Sequence, residues 1–304
     1  MVDSTATERL FAPLGRPRVW GVVNVTPDSF SDGGRFVEPE RAVEHGLALL
    51  GDGADVLDIG GESTRPGATR PLVSEELARV VPVIARLSAH GAVVSVDTMR
   101  AEVAAAALEA GASIVNDVSG GLADPEILDV VAASGAAYVA MHWRAHSDRM
   151  QDFAVYNRPG GVVAAVCHEL GLRLEAIVAA GVRPGRVVLD PGLGFAKHGD
   201  HNWELVRGLD DLHALGCPVL LGASRKSFLG ALLADADGRA RPVEGREAAH
   251  LALVAHLANG PASGGPGVWG LRVHDVRSTR DALAVVDRLR PRGAPDRDRE
   301  DPAT

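Results

Sequence analysis

Residues 93–117 read Val93-Val94-Ser95-Val96-Asp97-Thr98-Met99-Arg100-Ala101-Glu102-Val103-Ala104-Ala105-Ala106-Ala107-Leu108-Glu109-Ala110-Gly111-Ala112-Ser113-Ile114-Val115-Asn116-Asp117. Two short apolar runs, Val93–Asp97 and Ser113–Asp117, flank the alanine-rich segment Arg100–Ala110. Each run is too short for a helix and rich in Val or Ile, the pattern of a parallel strand buried on both faces. Alanine is the strongest helix former. The stretch therefore predicts strand, helix, strand, and both strands end in a carboxylate or an amide.

The same unit recurs in both directions. Further strand runs are Val19–Val25, Val56–Gly60, Ala137–His142, Val187–Asp190, Val219–Gly222 and Val268–His274. Helical patterns lie between them at Glu40–Leu50, Ser74–Leu87, Gly161–Ala180, Asn202–Leu215, Glu247–Ala258 and Thr279–Leu289. Ser74, with Glu75 and Glu76 behind it, reads as a capped helix start. Asp124-Pro125 reads as an N-cap followed by proline at the first helical position. Strict alternation implies a parallel sheet covered by helices. Eight units favour closure, so the expected fold is α/β, a single (β/α)8 TIM barrel with eight parallel strands. It should span 18–290, with tails at 1–17 and 291–304. Its size suits one such barrel, typically about 250 residues.

The net charge of −9 argues against non-specific nucleic-acid binding, which needs a basic footprint. A local basic cluster can still hold a small anion, because screening sets in beyond roughly 8 Å at physiological salt. No stretch approaches the roughly 18 consecutive apolar residues of a membrane span. Met1–Pro17 carries acids and lacks an apolar signal core, so a cytoplasmic protein is expected. Cys167 and Cys217 show no metal-ligand spacing and read as reduced core thiols.

In this fold the active site lies on the loops after the strands. Nearly every run here ends in a chemically loaded group: Asn24, Asp58 with Gly60-Gly61-Glu62, Asp97-Thr98, Asn116-Asp117, His142, Asp190-Pro191-Gly192, Ser224-Arg225-Lys226, and Arg272 with His274 and Asp275. Singly, each has a bland reading: an Asp at a strand end caps the next helix, His142 packs in a core, Lys226 is solvated. Eight on one rim describe a pocket. Arg272, His274 and Arg65 suit a phosphate-type anion. Asn24 offers a neutral oxygen for Mg²⁺, which is held by few protein groups plus substrate phosphates. Asp97, Asn116 and Asp190 suit a planar nitrogen heterocycle. No nucleophile stands beside a base.

Asn24-Val25-Thr26-Pro27-Asp28-Ser29-Phe30-Ser31-Asp32-Gly33-Gly34 resembles the first loop of dihydropteroate synthases, and Gly60-Gly61-Glu62-Ser63-Thr64-Arg65-Pro66-Gly67 their second. Val96-Asp97-Thr98, Asn116-Asp117-Val118-Ser119-Gly120, Asp190-Pro191-Gly192-Leu193-Gly194-Phe195, Gly222-Ala223-Ser224-Arg225-Lys226 and Arg272-Val273-His274-Asp275 match the same family in order. The resemblance covers roughly Val19 to Leu289. It implies a reaction: para-aminobenzoate displaces pyrophosphate from 6-hydroxymethyl-7,8-dihydropterin pyrophosphate, through a cation-like intermediate, giving 7,8-dihydropteroate.

Roles follow residue by residue. Asp97, Asn116, Met141, Asp190, Lys226 and Arg272 match the pterin pocket. Phe30, Thr64, Arg65, Pro66, Phe195 and Ser224 match the aminobenzoate site. Asn24, Arg272 and His274 match the pyrophosphate pocket, with Asn24 the Mg²⁺ contact. Asp32 faces the developing cation, and Asp32, Asp97, Lys226 and Arg272 form the implied catalytic set. The resemblance also implies a homodimer, small-molecule substrates and a sulfonamide target. Three rivals stay open: a non-catalytic pterin-binding paralogue, a methyltetrahydrofolate:corrinoid methyltransferase-like enzyme, and an aldolase using Lys226 as a Schiff base.

Overall fold

A computed structural model describes residues 10–26, 37–62, 70–146, 148–259 and 267–290. Eight strands alternate with helices: β1 Arg18–Asn24, α1 Val37–Gly51, β2 Val56–Gly60, α2 Val73–Ala89, β3 Val94–Asp97, α3 Ala101–Glu109, β4 Ile114–Asp117, α4 Glu126–Ser134, β5 Ala137–Met141, α5 Gly161–Ala179, β6 Val187–Asp190, α6 Gly199–Arg207, α7 Leu209–His213, β7 Leu220–Leu221, α8 Ser227–Leu232, α9 Glu247–Asn259, β8 Gly270–Val273 and α10 Val276–Leu289. The strands pair in parallel in the order β6-β5-β4-β3-β2-β1-β8-β7. A bridge between Leu189 and Val219 joins the two ends, and the Leu189 amide donates to the Pro218 carbonyl at 2.9 Å. The sheet thus closes into the expected barrel.

Register explains the division of labour inside it. Trp20, Val22 and Asn24 of β1 lie opposite Val56, Asp58 and Gly60 of β2. Asp58 and Gly60 lie opposite Ser95 and Asp97, which lie opposite Ile114 and Asn116. Asn116 lies opposite Val139, and Val139 and Met141 lie opposite Val188 and Asp190. Trp20 lies opposite Arg272. Side chains alternate across a strand, so paired positions share a face. The lower part of this inner face is apolar: Trp20, Val56, Ile114, Ala137, Val139, Val188 and Leu220 form one buried cluster. The upper part carries Asn24, Asp58, Asp97, Asn116, Asp190 and Arg272. The other face, including Val19, Val23, Leu57, Ile59, Val96, Leu189 and Val273, packs under the helices in a second, larger core.

Several expectations shift in detail. Leu10 and Phe11, expected within the tail, pack beneath the barrel, where Phe11 stacks on Trp269 with ring centroids 5.6 Å apart. Ser74 does not cap its helix: α2 starts at Val73, and Glu75 Oε2 accepts from the Leu72 amide at 3.0 Å. Asp124 caps a different helix, its Oδ2 accepting from the Ala101 amide of α3 at 2.7 Å. The helix expected over Asn202–Leu215 starts three residues earlier and breaks at Gly208. A methyl at Gly208 would stand 2.7 Å from Val163, so α5 presses on the chain there. Helix α8 falls where the sequence offered no helical reading.

Asp117 keeps its bland role. Its buried carboxylate accepts from the Ser119 amide at 2.8 Å, the Ser119 hydroxyl at 2.7 Å, the Gly121 amide at 2.7 Å and the Tyr138 hydroxyl at 2.7 Å. This knits the fourth loop to β5. Asp117→Ala would orphan buried donors, including Tyr138. The expected loss of stability is about 3 kcal/mol, read by urea unfolding. A change below about 0.5 kcal/mol, the size of an ordinary surface substitution, would show the knot is dispensable.

Candidate active site

The upper inner positions meet in one charged network. Arg272 on β8 donates from Nε to Asp58 Oδ2 at 2.6 Å and from Nη2 to Asp97 Oδ2 at 2.7 Å. Asn116 Nδ2 donates to the same Asp58 oxygen at 3.0 Å. Four strands, β2, β3, β4 and β8, are thereby tied across the mouth by side chains. Asn24 joins them from β1: a methyl at Gly60 would stand 3.7 Å from Asp97 Oδ2 and 3.8 Å from Asn24 Oδ1.

Burial raises the Asp97 carboxyl to about 7, with Asp58, Glu62 and Glu76 adding to the rise and Arg272 opposing it. Burial also opposes the charge on Arg272, yet Asp58 and Asp97 hold it more firmly protonated than usual.

A second group gathers on β5, β6 and the seventh loop. Asp190 is buried, and its Oδ1 accepts from the Gly192 amide at 2.7 Å. Burial raises its carboxyl, opposed by that hydrogen bond and by Lys226, Arg272 and Lys197. Lys226 lies within electrostatic reach of Arg272, Asp190 and Asp97. Burial and Arg272 lower it to about 8. Its Nζ sits 4.1 Å from the centre of the Phe195 ring, a cation–π contact. Gly194 is required beneath it, since a methyl there would stand 3.1 Å from Lys226 Cδ. Met141, Met99 and Val118 form a small apolar floor against which Phe195 and Trp143 pack.

A third pair closes the rim. Ser224 Oγ lies 3.0 Å from His274 Nδ1. Burial, with Arg225, Arg272 and Lys226 nearby, lowers His274 to about 3. Without an anion beside it, the imidazole is therefore neutral at neutral pH.

The structure thus assembles Asn24, Asp97, Asn116, Met141, Asp190, Phe195, Ser224, Lys226, Arg272 and His274 at the C-terminal end of the barrel. Phe30, Asp32, Thr64, Arg65 and Pro66 lie outside the described residues. Sequence reasoning gave Asp58 no role, although it anchors Arg272. It also passed over Arg144, Glu169 and Lys197. His142, the fifth strand's terminal residue, meets Glu169 and Lys197. No local pattern in the sequence marks this cluster. Cys167 and Cys217 are free and half-buried, away from the rim.

Comparison with known proteins agrees with this geometry. The family model described as pterin binding enzyme matches residues 20–274. The dihydropteroate synthase of Mycobacterium leprae (strain TN) is 55% identical over 274 residues, which is 90% of this chain and 93% of that protein. A solved structure of Xanthomonas albilineans dihydropteroate synthase with 4-aminobenzoic acid superposes with a TM-score of 0.79 at 46% identity, over 91% of this chain and 94% of that one. A second from the same organism, in complex with 7,8-dihydropteroate, gives 0.75 at 43% identity, over 91% and 95%.

Removing the central cation should be visible in Asp97. Because Arg272 favours the ionised carboxylate, Arg272→Met should move the Asp97 titration from about 7 to higher pH. Carboxyl carbon NMR of the free protein reads this directly. An Asp97 that titrates near 4 in both proteins would mean its carboxylate is solvated and the network is absent.

Proposed function

This chain belongs to the pterin-binding enzyme family, and from that membership we propose how its rim forms dihydropteroate. The enzyme is a dihydropteroate synthase, a transferase of folate biosynthesis. It joins 6-hydroxymethyl-7,8-dihydropterin pyrophosphate to para-aminobenzoate and releases pyrophosphate. The close, nearly full-length relatives favour this reading over a corrinoid methyltransferase and over a Schiff-base aldolase. The observation that carries the reading is the juxtaposition of Asp190 and Lys226 beside the Asp58–Arg272–Asp97 network.

Asp190 accepts hydrogen bonds from the amino-amidine edge of the pterin. That edge is flat and doubly donating, the mirror of an Arg fork. Lys226 donates to ring acceptors, and Asn116 and Asp97 hold the far edge. Met141 lies beneath the ring and the Arg272 plane covers it. Phe195 and Ser224 border the aminobenzoate, with Phe30, Thr64, Arg65 and Pro66 completing that site. The arylamine is neutral at pH 7, so its attack needs no strong base. Expelling pyrophosphate is the costly step, and stabilising charge that develops there is what accelerates it. Asp32 faces the cation left on the pterin methylene. Arg272 and His274 receive the leaving group beside Asn24.

Mg²⁺ fits this donor set. Asn24 Oδ1 is a hard, neutral oxygen at the rim, close to Gly60, and such an ion needs few protein groups when substrate phosphates supply the rest. Asn24 would hold it. When bound, the ion neutralises charge on the departing pyrophosphate. Homodimerisation is carried from the family resemblance, and a cytoplasmic setting from the sequence. Among the described residues no helix is long and apolar enough to cross a membrane.

The purified protein with Mg²⁺ and both substrates should form dihydropteroate and release pyrophosphate in equal amounts, and sulfonamides should compete with aminobenzoate. Absence of product with competent substrates would leave a non-catalytic pterin binder. Asp190→Ala removes two charge-assisted hydrogen bonds and should weaken pterin binding by about 3 kcal/mol or more. Calorimetry with the pterin substrate reads this, and unchanged affinity would remove Asp190 from the pocket.

A further inference from the structure

Behind the sixth loop lies a chain of polar groups, with Lys197 and His142 buried and Arg144 and Glu169 half-buried, that the reaction does not use. Lys197 is 4% exposed. Its Nζ lies 3.0 Å from His142 Nδ1 and donates to the Phe195 carbonyl at 2.9 Å. His142 Nε2 lies 3.0 Å from Glu169 Oε2, which also accepts from Arg144 Nε at 3.0 Å. His142 and Arg144 hold the Glu169 carboxyl down to about 2 although burial opposes it, so Glu169 only accepts. His142 must then carry its proton on Nε2, and Nδ1 accepts from Lys197. The Arg144 guanidinium lies 4.1 Å over the Tyr156 ring, and the Tyr156 hydroxyl donates to the Ala196 carbonyl at 2.9 Å.

Two successive carbonyls, of Phe195 and Ala196, are therefore gripped by this cluster. They need to be. Ala196 has φ +49°, a left-handed conformation that costs a residue with a side chain about 1 kcal/mol or more. The other end of the turn is fixed as well, the Gly194 amide donating to Asn202 Oδ1 at 2.6 Å. What the turn carries is the Phe195 ring against Lys226.

Resting on the reading of this rim as the dihydropteroate-forming site, we propose that Lys197 is a positioning residue for the aminobenzoate. Through the Phe195 carbonyl it holds the aromatic wall of that subsite against the Lys226 ammonium. A side chain that only stabilised the fold would lower the amount of active enzyme without changing its KM. A tether acting on one wall should change one KM.

The test is steady-state kinetics of Lys197→Met and Lys197→Gln, alone and in a Phe195→Ala background. Each single variant should raise the aminobenzoate KM about tenfold, the worth of one hydrogen bond to a charged group, with kcat nearly unchanged. In the Phe195→Ala background the same substitutions should add almost nothing, because the group they act through is gone. Should Lys197→Met fail to fold, Lys197→Gln, which is uncharged and one atom shorter, carries the comparison. An undiminished effect in the Phe195→Ala background overturns the proposal. So does a rise confined to the pterin substrate's KM, which would mean Lys197 acts by its charge on Asp190. Wild-type KM values in both single variants also defeat it. A wild-type enzyme that makes no dihydropteroate would instead overturn the functional reading itself.

Discussion

The mouth of this barrel depends on one cation held between two carboxylates. Asp58, Asp97 and Asp190 all project from inner-face positions near the tops of their strands. Three such charges in a poorly solvated mouth repel one another, and two unit charges 4 Å apart interact by about 4 kcal/mol at an effective dielectric near 20. Arg272 resolves the conflict for Asp58 and Asp97 by bonding to both, and Lys226 partly does so for Asp190. Arginine suits the central place because its planar fork reaches two acceptors at fixed angles and it keeps its proton when buried. A lysine there would satisfy one carboxylate and risk losing its charge, as the lowering of Lys226 to about 8 illustrates.

That arrangement is affordable only because the barrel beneath it is apolar. Trp20, Ile114, Val139, Val188 and Leu220 fill the lower interior and carry the packing, while the helices bury the outer face of the same strands. Parallel strands in register keep paired residues on one face, so a single alternation decides which residues line the interior and which lie under the helices. Shifting β3 by one residue would point Val96 into the mouth and Asp97 into the helical layer.

This explains what was legible in the sequence. Short Val/Ile runs ending in Asp, Asn, His or Arg state both the strand and its reactive end, so the barrel, the rim and residues such as Asn116, Asp190 and Arg272 can be read locally. Contacts between units leave no such mark. Asp124 caps the helix of the preceding unit, and Gly208 breaks a helix because α5 crowds it. Asp58 looks like one more strand-end acid until Arg272, far along the chain, is seen on it. Lys197 looks like a solvated lysine, because nothing local announces that His142 and the Phe195 carbonyl await it. Helix α8 is only six residues long, too short for a periodic pattern to separate it from the strand before it.

The free site is also electrostatically unrelaxed, and this bears on how it works. Asp97 near 7 and a raised Asp190 mean that burial disfavours carboxylates the ligand needs ionised. A pterin edge that donates hydrogen bonds would stabilise the ionised form. In the proposed reaction Arg272 also serves the pyrophosphate, so the charge that holds Asp58 and Asp97 would act on the leaving group as well. On that reading, binding of the ring and departure of the diphosphate would be coupled through one guanidinium, and its two carboxylate partners would share in the chemistry with the groups that touch the substrate.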